Sequence, residues 1–186
     1  MAELADLITG FQNVYPEVKV SLHSGYNNEI RTGLDNGQFD IGLLLEPANA
    51  KKYDFIRLKM KERFGCLVHK QSKFAQYETI CHGDLSETPI LTILDECIRR
   101  ELRAWSGQYV SQMNNYGKYN LTYNAALLVQ AKESVMTSLD LPQTYKDLKF
   151  IPLSPKLELT SILAWRNNVP QNKVLKAFIT YLREKV

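Results

Sequence analysis

Residues 4–47, LADLITGFQNVYPEVKVSLHSGYNNEIRTGLDNGQFDIGLLLEP, contain the pattern that decides the fold. Over 3–14 the apolar residues recur at the spacing of one helical stripe: Leu4, Leu7, Ile8 and Phe11. Pro16 predicts the end of this helix, because the residue before a proline is disfavoured in the α region. Over 18–22, apolar residues then alternate with polar ones, which predicts a half-buried strand.

A second helix and a buried strand are predicted next. Asn27 or Asn28 is expected to cap a helix, and Gly37 suits the position just after its end. FDIGLLL, over 39–45, is an unbroken apolar run of strand length, which is typical of a strand buried on both faces. Strand, helix and strand together predict a right-handed βαβ unit with a parallel sheet.

The same order of elements recurs further along the chain, after a long and less buried strand over 53–69. The later predicted elements are a strand at ILTIL (90–94), a long helix with a stripe of Ile98, Leu102, Trp105 and Tyr109, a strand at YNLTY (119–123), a short helix at NAALLVQAK (124–132) capped by Asn124, a strand at SVMTSL (134–139), strands over 148–153 and 157–165, and a closing helix over 173–185. The pattern predicts two small α/β lobes joined by extended strands.

Composition limits the class of protein. Hydrophobic residues make up 45% of the 186 residues and charged residues 23%, which excludes a disordered or collagen-like chain. No apolar run approaches the ~20 residues of a membrane span, and the amino terminus does not read as a secretory signal. The net charge is +3 without a long Lys/Arg run, so we expect this chain alone not to bind DNA.

Signatures of catalysis and of metal binding are missing, so we predict no enzyme, no cofactor and no metal site. There is no nucleophile elbow, glycine-rich phosphate loop or zinc-protease motif. The three histidines fall in different elements at no ligand spacing. The three cysteines fit neither a disulfide framework nor a metal knuckle, which favours a reducing cytoplasm, and Cys66 is predicted to be a buried structural thiol. Asp35 and Asp40 are expected to be solvated turn carboxylates.

Polar residues at the predicted strand ends are the candidates for a binding site, because ligands of open parallel sheets bind outside the carboxyl ends of the strands. The candidate ligand-binding residues are Ser24, Tyr26, Asn27, Glu46, Asp95, Tyr123, Asn124 and Ser138. Helix caps with free backbone N–H groups suit a small anionic or zwitterionic ligand. Each residue taken singly is explained equally well as an ordinary cap or turn residue.

The order of motifs resembles the effector-binding domain of LysR-type transcriptional regulators. The family's F-x-x-x-Y-P-x-V and L-x-x-G-x-x-D patterns correspond to Phe11, Tyr15, Pro16 and Val18, and to Leu34, Gly37 and Asp40. Further along, RFGCLVHKQSKFA (63–75), GDLSETPIL (83–91) and YNAALLVQAK (123–132) look like the strand into the second lobe, its G-x-L-x-x-x-P turn and its late pocket helix.

The resemblance implies an α/β fold of the periplasmic-binding-protein-like type 2, with two Rossmann-like lobes joined by two crossover strands. Lobe I would comprise 1–69 plus 162–186, and lobe II 70–161. The chain begins inside the family's first helix, so the first strand of the fold is expected to be missing from it.

The resemblance also implies a function: a small polar effector would bind between the lobes, and DNA would be bound only through a separate N-terminal winged helix-turn-helix domain. The protein would be a cytoplasmic homodimer or tetramer that contacts no membrane, with VKVSLHS as a self-associating edge. The acidic turn Leu94-Asp95-Glu96 departs from the family and leaves the charge of the effector open. If Asp95 and Glu46 lie close together, they favour a ligand that carries an amino or amide group. A free-standing solute-binding protein and an enzyme on the same scaffold are the alternatives.

Overall fold

The computed structural model describes residues 2–46, 51–112, 114–131, 134–141 and 145–186. The chain forms two compact units, Met1–Lys61 with Leu159–Val186, and Glu62–Glu158. The assignment of two effector-binding lobes over 1–69 plus 162–186 and over 70–161 stays a prediction. Pro47 of the predicted turn and Lys132 of the predicted helix lie outside the described residues.

The first unit combines three helices with a small sheet. Its elements are α1 (Ala2–Val14), α2 (Asn27–Asp35), β1 (Gly42–Leu45), the first part of β2 (Tyr53–His69), most of β8 (Glu158–Arg166) and α5 (Lys173–Lys185). β1 pairs antiparallel with β8, Leu44 lying opposite Ile162, and β8 in turn neighbours β2. The predicted helices over 3–14 and 173–185 and the strand within 39–45 are therefore confirmed.

Two apolar layers cover the faces of this sheet. On one face Leu44 and Ile162 pack with Ile30 and Leu34 of α2, and on the other Leu163 packs with the stripes of α1 and α5. Phe11, 1% exposed, contacts the rings of Tyr15, Phe178 and Tyr181. The sequence separation within this layer is large, since residues of the first helix pack against residues of the last.

Three local predictions for this unit are wrong. Residues 18–22 alternate as a strand would, yet they form no strand. The predicted parallel βαβ unit is therefore not formed, because β1 pairs antiparallel with β8. The helix α2 is capped by Tyr26 rather than by Asn27 or Asn28, since the helix already includes both asparagines. Gly37 does follow the helix end, with a left-handed φ of 71°.

The second unit is built on a mixed sheet with helices at its carboxyl edge. It contains the rest of β2, β3 (Ile80–Cys81), β4 (Ile90–Ile93), α3 (Glu96–Ser106), β5 (Asn115–Tyr119), α4 (Thr122–Ala131), β6 (Val135–Leu139) and β7 (Leu148–Ser154), with 3-10 turns at Lys73–Gln76, His82–Leu85 and Gly107–Gln112. β4 pairs parallel with both β5 and β6, whereas β2 pairs antiparallel with β6 and β7. Leu67, Leu91, Met136 and Val129 are core residues.

Two boundaries in this unit differ from the prediction. The YNLTY strand is wrong, because β5 ends at Tyr119 and α4 begins at Thr122. Asn124 is therefore the third residue of α4 and not its cap. The predicted stripe through Tyr109 is too long, since α3 ends at Ser106, where Gly107 adopts a φ of 53°. In the part of the chain that the structure describes, every helix is too short or too polar to cross a membrane.

Candidate functional site

Three parallel strands of the second unit end at one edge, and helices begin beside them. β4 ends at Ile93, β5 at Tyr119 and β6 at Leu139, and α3 and α4 start within three residues of β4 and β5. The N–H of Leu94 donates to the carbonyl of Tyr119 across 2.8 Å, which holds the first two strand ends together. Because ligands of parallel α/β sheets bind at this kind of edge, its polar side chains are the candidate site.

Asp95 shapes the α3 side of this edge. Its carboxylate accepts hydrogen bonds from the N–H groups of Cys97 at 2.9 Å and Ile98 at 3.2 Å, and the residue is only 5% exposed. A carboxylate at this position also interacts favourably with the helix dipole. Asp95 thus uses two of the N–H groups that would otherwise attract an anion, and it places negative charge at the edge.

A group of hydroxyls lies at the ends of β5 and β6. The Tyr119 hydroxyl donates to the carbonyl of Thr137 at 2.7 Å, and the side chains of Ser138 and Thr122 are within hydrogen-bonding reach of the same phenol. Burial raises the pKa of Tyr119 well above its usual range, so this phenol stays protonated. Its one hydrogen is donated to Thr137, and its oxygen can accept a further hydrogen bond. The hydroxyl of Ser138 donates to the carbonyl of Leu139 at 2.9 Å.

Asp95 and Ser138 were predicted at this edge, whereas Tyr119 and Thr122 were not. Tyr123 and Asn124 were predicted instead, and both are solvent-exposed on α4. The signal that could have found the true boundary is Asn120-Leu121-Thr122, since Asn and Thr favour the turn before a helix.

In the first unit, Asn27 and Tyr26 make hydrogen bonds that hold the start of α2 in place. The Asn27 side-chain oxygen accepts the N–H of Leu45 at 3.0 Å, and this bond is buried. It ties the start of α2 to the end of β1. Tyr26 donates its backbone N–H to Glu29 at 2.9 Å, and Ser24 is exposed in the irregular segment that precedes α2.

Glu46 is already paired with a cation. Its carboxylate accepts from Arg57 Nε at 2.8 Å and lies 2.7 Å from Arg57 Nη2. The Arg57 guanidinium also lies 5.0 Å from the centre of the Phe55 ring. The charge of Glu46, which was expected to help attract a cationic ligand, is thus paired with Arg57 within the first unit. The joint placement of the eight predicted residues in one cleft stays a prediction.

Cys66 and Asp35, the other residues that could take part in chemistry, have contacts typical of structural roles. Cys66 is fully buried, as predicted, and burial raises its pKa to about 12, so it is inert as a nucleophile at neutral pH. Asp35 accepts hydrogen bonds from Lys52 Nζ at 2.8 Å and the Tyr53 hydroxyl at 2.6 Å, and these bonds lower its pKa. The described residues contain no group of three His, Cys, Asp or Glu side chains that could hold a metal ion.

The architecture is that of a ligand-binding α/β domain of the periplasmic-binding-protein-like type 2 fold. The LysR substrate binding domain family matches residues 3–186. The chain therefore belongs to the LysR substrate-binding domain family.

Similar solved structures have the same fold. The effector-binding domain of QuiR in complex with shikimate is 19% identical with a TM-score of 0.87, and the match covers 97% of this chain and 89% of that one. HinK, a LysR family transcriptional regulator from Pseudomonas aeruginosa, is 20% identical with a TM-score of 0.79, over 98% of this chain and 65% of that chain.

A relative by sequence is the uncharacterized HTH-type transcriptional regulator YvbU of Bacillus subtilis (strain 168). It is 31% identical over 85 residues, which are 46% of this chain and 28% of YvbU. The matched region therefore spans less than a third of that regulator.

Proposed function

We propose that this chain is the effector-sensing domain of a cytoplasmic LysR-type bacterial transcriptional regulator. It would bind a small polar metabolite and transmit the binding to a separate winged helix-turn-helix domain that contacts DNA. The family match over residues 3–186 supports this role over that of a free-standing solute-binding protein. We infer that the domain acts by binding and not by catalysis.

The observation that carries the proposal is the convergence of hydroxyls and a carboxylate at the carboxyl edge of β4, β5 and β6. Tyr119, Thr122 and Ser138 offer hydroxyl groups, and Asp95 offers a nearly buried carboxylate. This set matches a ligand that carries several hydroxyl groups together with an amino or amide group. A purely anionic ligand is disfavoured here, because the Asp95 carboxylate already occupies the N–H groups at the start of α3 that would otherwise bind an anion.

Ser138→Ala tests the site, with Ser106→Ala as its matched control. Both serines are buried in the second unit, and each donates to a backbone carbonyl, Ser138 to Leu139 at 2.9 Å and Ser106 to Leu102 at 2.8 Å. Both substitutions should lower stability, whereas only Ser138→Ala should weaken effector affinity, by ~1–3 kcal/mol. Equal affinity in the two variants would contradict the site.

Probes for this experiment follow from the chemistry of the edge. The panel comprises shikimate, as the hydroxylated ligand bound by QuiR, together with an aminated and an amidated polyol, and is read by calorimetry. We expect the aminated or amidated compounds to bind more tightly than shikimate. The reverse order would overturn the assignment of ligand charge. The location of the site would still be tested separately, by the affinities of Ser138→Ala and Ser106→Ala.

The regulatory role has its own test. Fused behind the winged helix-turn-helix and linker helix of a LysR regulator, this chain should make a reporter gene respond to a compound that binds it. Ser138→Ala should shift the response to higher concentration. A reporter that is indifferent to a tightly bound compound would contradict signal transmission while leaving ligand binding intact.

Self-association is part of the proposal. Val20 and Leu22 in the predicted edge segment are 42% and 71% exposed, which suits a surface that is covered in a homodimer or tetramer. Sedimentation at tens of micromolar should detect the dimer. A monomer at that concentration would count against it.

A further inference from the structure

An ion pair lies at the carboxyl edge of the second unit, on the strand that brings the chain into that unit. Arg63 of β2 donates from Nε to Asp140 Oδ2 at 3.0 Å, and its Nη2 donates to the same oxygen. The backbone N–H of Asp140 also donates to the carbonyl of Arg63 at 2.8 Å. Because Asp140 directly follows β6, these contacts hold the guanidinium beside the end of that strand.

The strand register puts this ion pair on the same face of the sheet as Ser138. Gly65 lies opposite Ser138 in the antiparallel pairing of β2 with β6. Two residues further along the two strands, Arg63 lies beside Asp140, and side chains two residues apart share one face of a sheet. The ion pair therefore lies on the face that carries one hydroxyl of the proposed effector site.

An aromatic ring positions the guanidinium from a second side. The Arg63 guanidinium carbon lies 5.6 Å from the centre of the Phe150 ring, which is a cation–π distance. The ring lies against Gly65, where a Cβ would collide with it and with the carbonyl oxygen of Ile151. A carboxylate and a ring thus order the Arg63 side chain in advance, which reduces the entropy that a ligand must overcome on binding.

Each partner of the ion pair keeps hydrogen-bonding groups that the pair does not use. A guanidinium can bind carboxylates along two edges, one formed by Nε with Nη2 and one by Nη1 with Nη2. Asp140 occupies the first edge, and within the described ranges Arg63 Nη1 and Asp140 Oδ1 make no hydrogen bond. The two side chains are 43% and 36% exposed, so a small molecule can reach both.

The charges at this edge distinguish between classes of ligand. A ligand carboxylate on the free edge of Arg63 would give one guanidinium two carboxylates, at an edge that already holds the carboxylate of Asp95. An ammonium group on the same ligand removes this excess of negative charge, and Asp140 Oδ1 is an acceptor for it. The ion pair therefore favours a zwitterion over a simple acid.

We propose that Arg63 and Asp140 bind the charged groups of the effector, and that the effector is a free α-amino acid. Arg63 binds the α-carboxylate through Nη1 and Nη2, Asp140 accepts from the α-ammonium, and the hydroxyl of Ser138 serves the side chain of the effector. The two charged groups of an α-amino acid are attached to one carbon atom, which suits two partners that are themselves in contact. This inference rests on the proposed function and deepens it by naming the class of ligand.

The probes are the proteinogenic L-amino acids and L-homoserine, tested singly on the whole chain by calorimetry. The tightest binder is then compared with its α-carboxamide and its Nα-acetyl derivative, each of which keeps the side chain and lacks one of the two charges. We expect at least one amino acid to bind, and each derivative to bind at least tenfold more weakly. No binding of any amino acid, or equal binding of either derivative, would overturn the proposal.

Arg63→Gln removes the edge that binds the carboxylate, and Arg100→Gln is its matched control. Arg100 is another exposed arginine of the second unit, and it pairs with Glu101 at 3.1 Å. Only Arg63→Gln should weaken the amino acid at least tenfold, and it should leave the affinity for the α-carboxamide nearly unchanged, because that compound has no carboxylate. Equal affinity for the amino acid in the two variants would contradict the role of Arg63.

Two controls keep the outcome interpretable. Circular dichroism establishes that both variants are folded, and the two derivatives, measured on the unsubstituted chain, give a result even if Arg63→Gln does not fold. Binding of the aminated polyol without binding of any amino acid would overturn this inference and leave effector sensing intact. An amino acid that binds through Arg63 without moving the reporter would support this inference and contradict the regulatory role.

Discussion

Replacing Asn27 by alanine should destabilise the first unit far more than replacing its neighbour Asn28. The Asn27 side chain is 8% exposed and accepts the N–H of Leu45, itself 9% exposed, at 3.0 Å. Asn27→Ala leaves that N–H buried without its acceptor. The expected loss is ~1–3 kcal/mol, because an unsatisfied buried donor bears its full desolvation cost.

Asn28 provides a matched control on the same helical turn. It is exposed, and it is the next residue of α2. Asn28→Ala changes intrinsic helix preference by the same amount but removes no buried acceptor. Its effect should stay within about 0.5 kcal/mol, as for most surface substitutions.

Chemical denaturation and thermal melting both measure this difference. For a chain of this size ~1 kcal/mol corresponds to about 2–4 °C, so Asn27→Ala should lower the Tm by roughly 2–12 °C. Asn27→Asp keeps an acceptor oxygen in place and should recover part of the loss. Equal melting of Asn27→Ala and Asn28→Ala would refute the argument that this bond fastens α2 to β1.

Three further predictions concern Cys66, Asp95 and Asn124. Burial raises the pKa of the Cys66 thiol from 9.0 to about 12, so the folded state favours the protonated thiol. This contribution to the free energy of unfolding is complete below about pH 9 and declines as the pH rises toward 12. The free energy of unfolding should therefore fall less steeply above about pH 9 in Cys66→Ala, and an unchanged slope would contradict this. Asp95→Ala should lower the free energy of unfolding by ~1 kcal/mol, measured by chemical denaturation, and Asp95→Asn by much less, because asparagine is also a good helix cap. Equal losses in the two variants would show that the charge of Asp95, and not its capping hydrogen bonds, stabilises the helix. Asn124→Ala should leave the Tm nearly unchanged, since this exposed residue is the third of α4 and does not cap the helix; a clearly lowered Tm would contradict this.

Helices with a continuous apolar stripe were predictable from the sequence. The stripe of α1 and that of α5 each define a helix without reference to the rest of the chain, and both formed where expected. The alternation over 18–22 failed because a strand depends on a neighbour that supplies hydrogen bonds, and the sequence does not show which strands are neighbours.

The site was predictable where it depends on local contacts. Asp95 caps the helix that directly follows it, and this pattern is visible within four residues. The pairing of Glu46 with Arg57 depends on how two separate segments pack, so Glu46 was read as available to a ligand. The position of Tyr119 was missed because a boundary error of a few residues moves a strand end onto a helix.

The first unit is interrupted in sequence by the second, and this order has a consequence for synthesis on the ribosome. The apolar stripe of α1, with Leu4 and Leu7, packs against Leu182 near the other end of the chain. At ~5–20 residues per second, the nascent chain waits on the order of ten seconds between the two. The whole of 62–158 can fold meanwhile, because it is continuous. During that interval the stripe of α1 lacks its partner helix and is open to chaperones or to aggregation. Truncation just before α5 should therefore increase chaperone binding or aggregation of the chain.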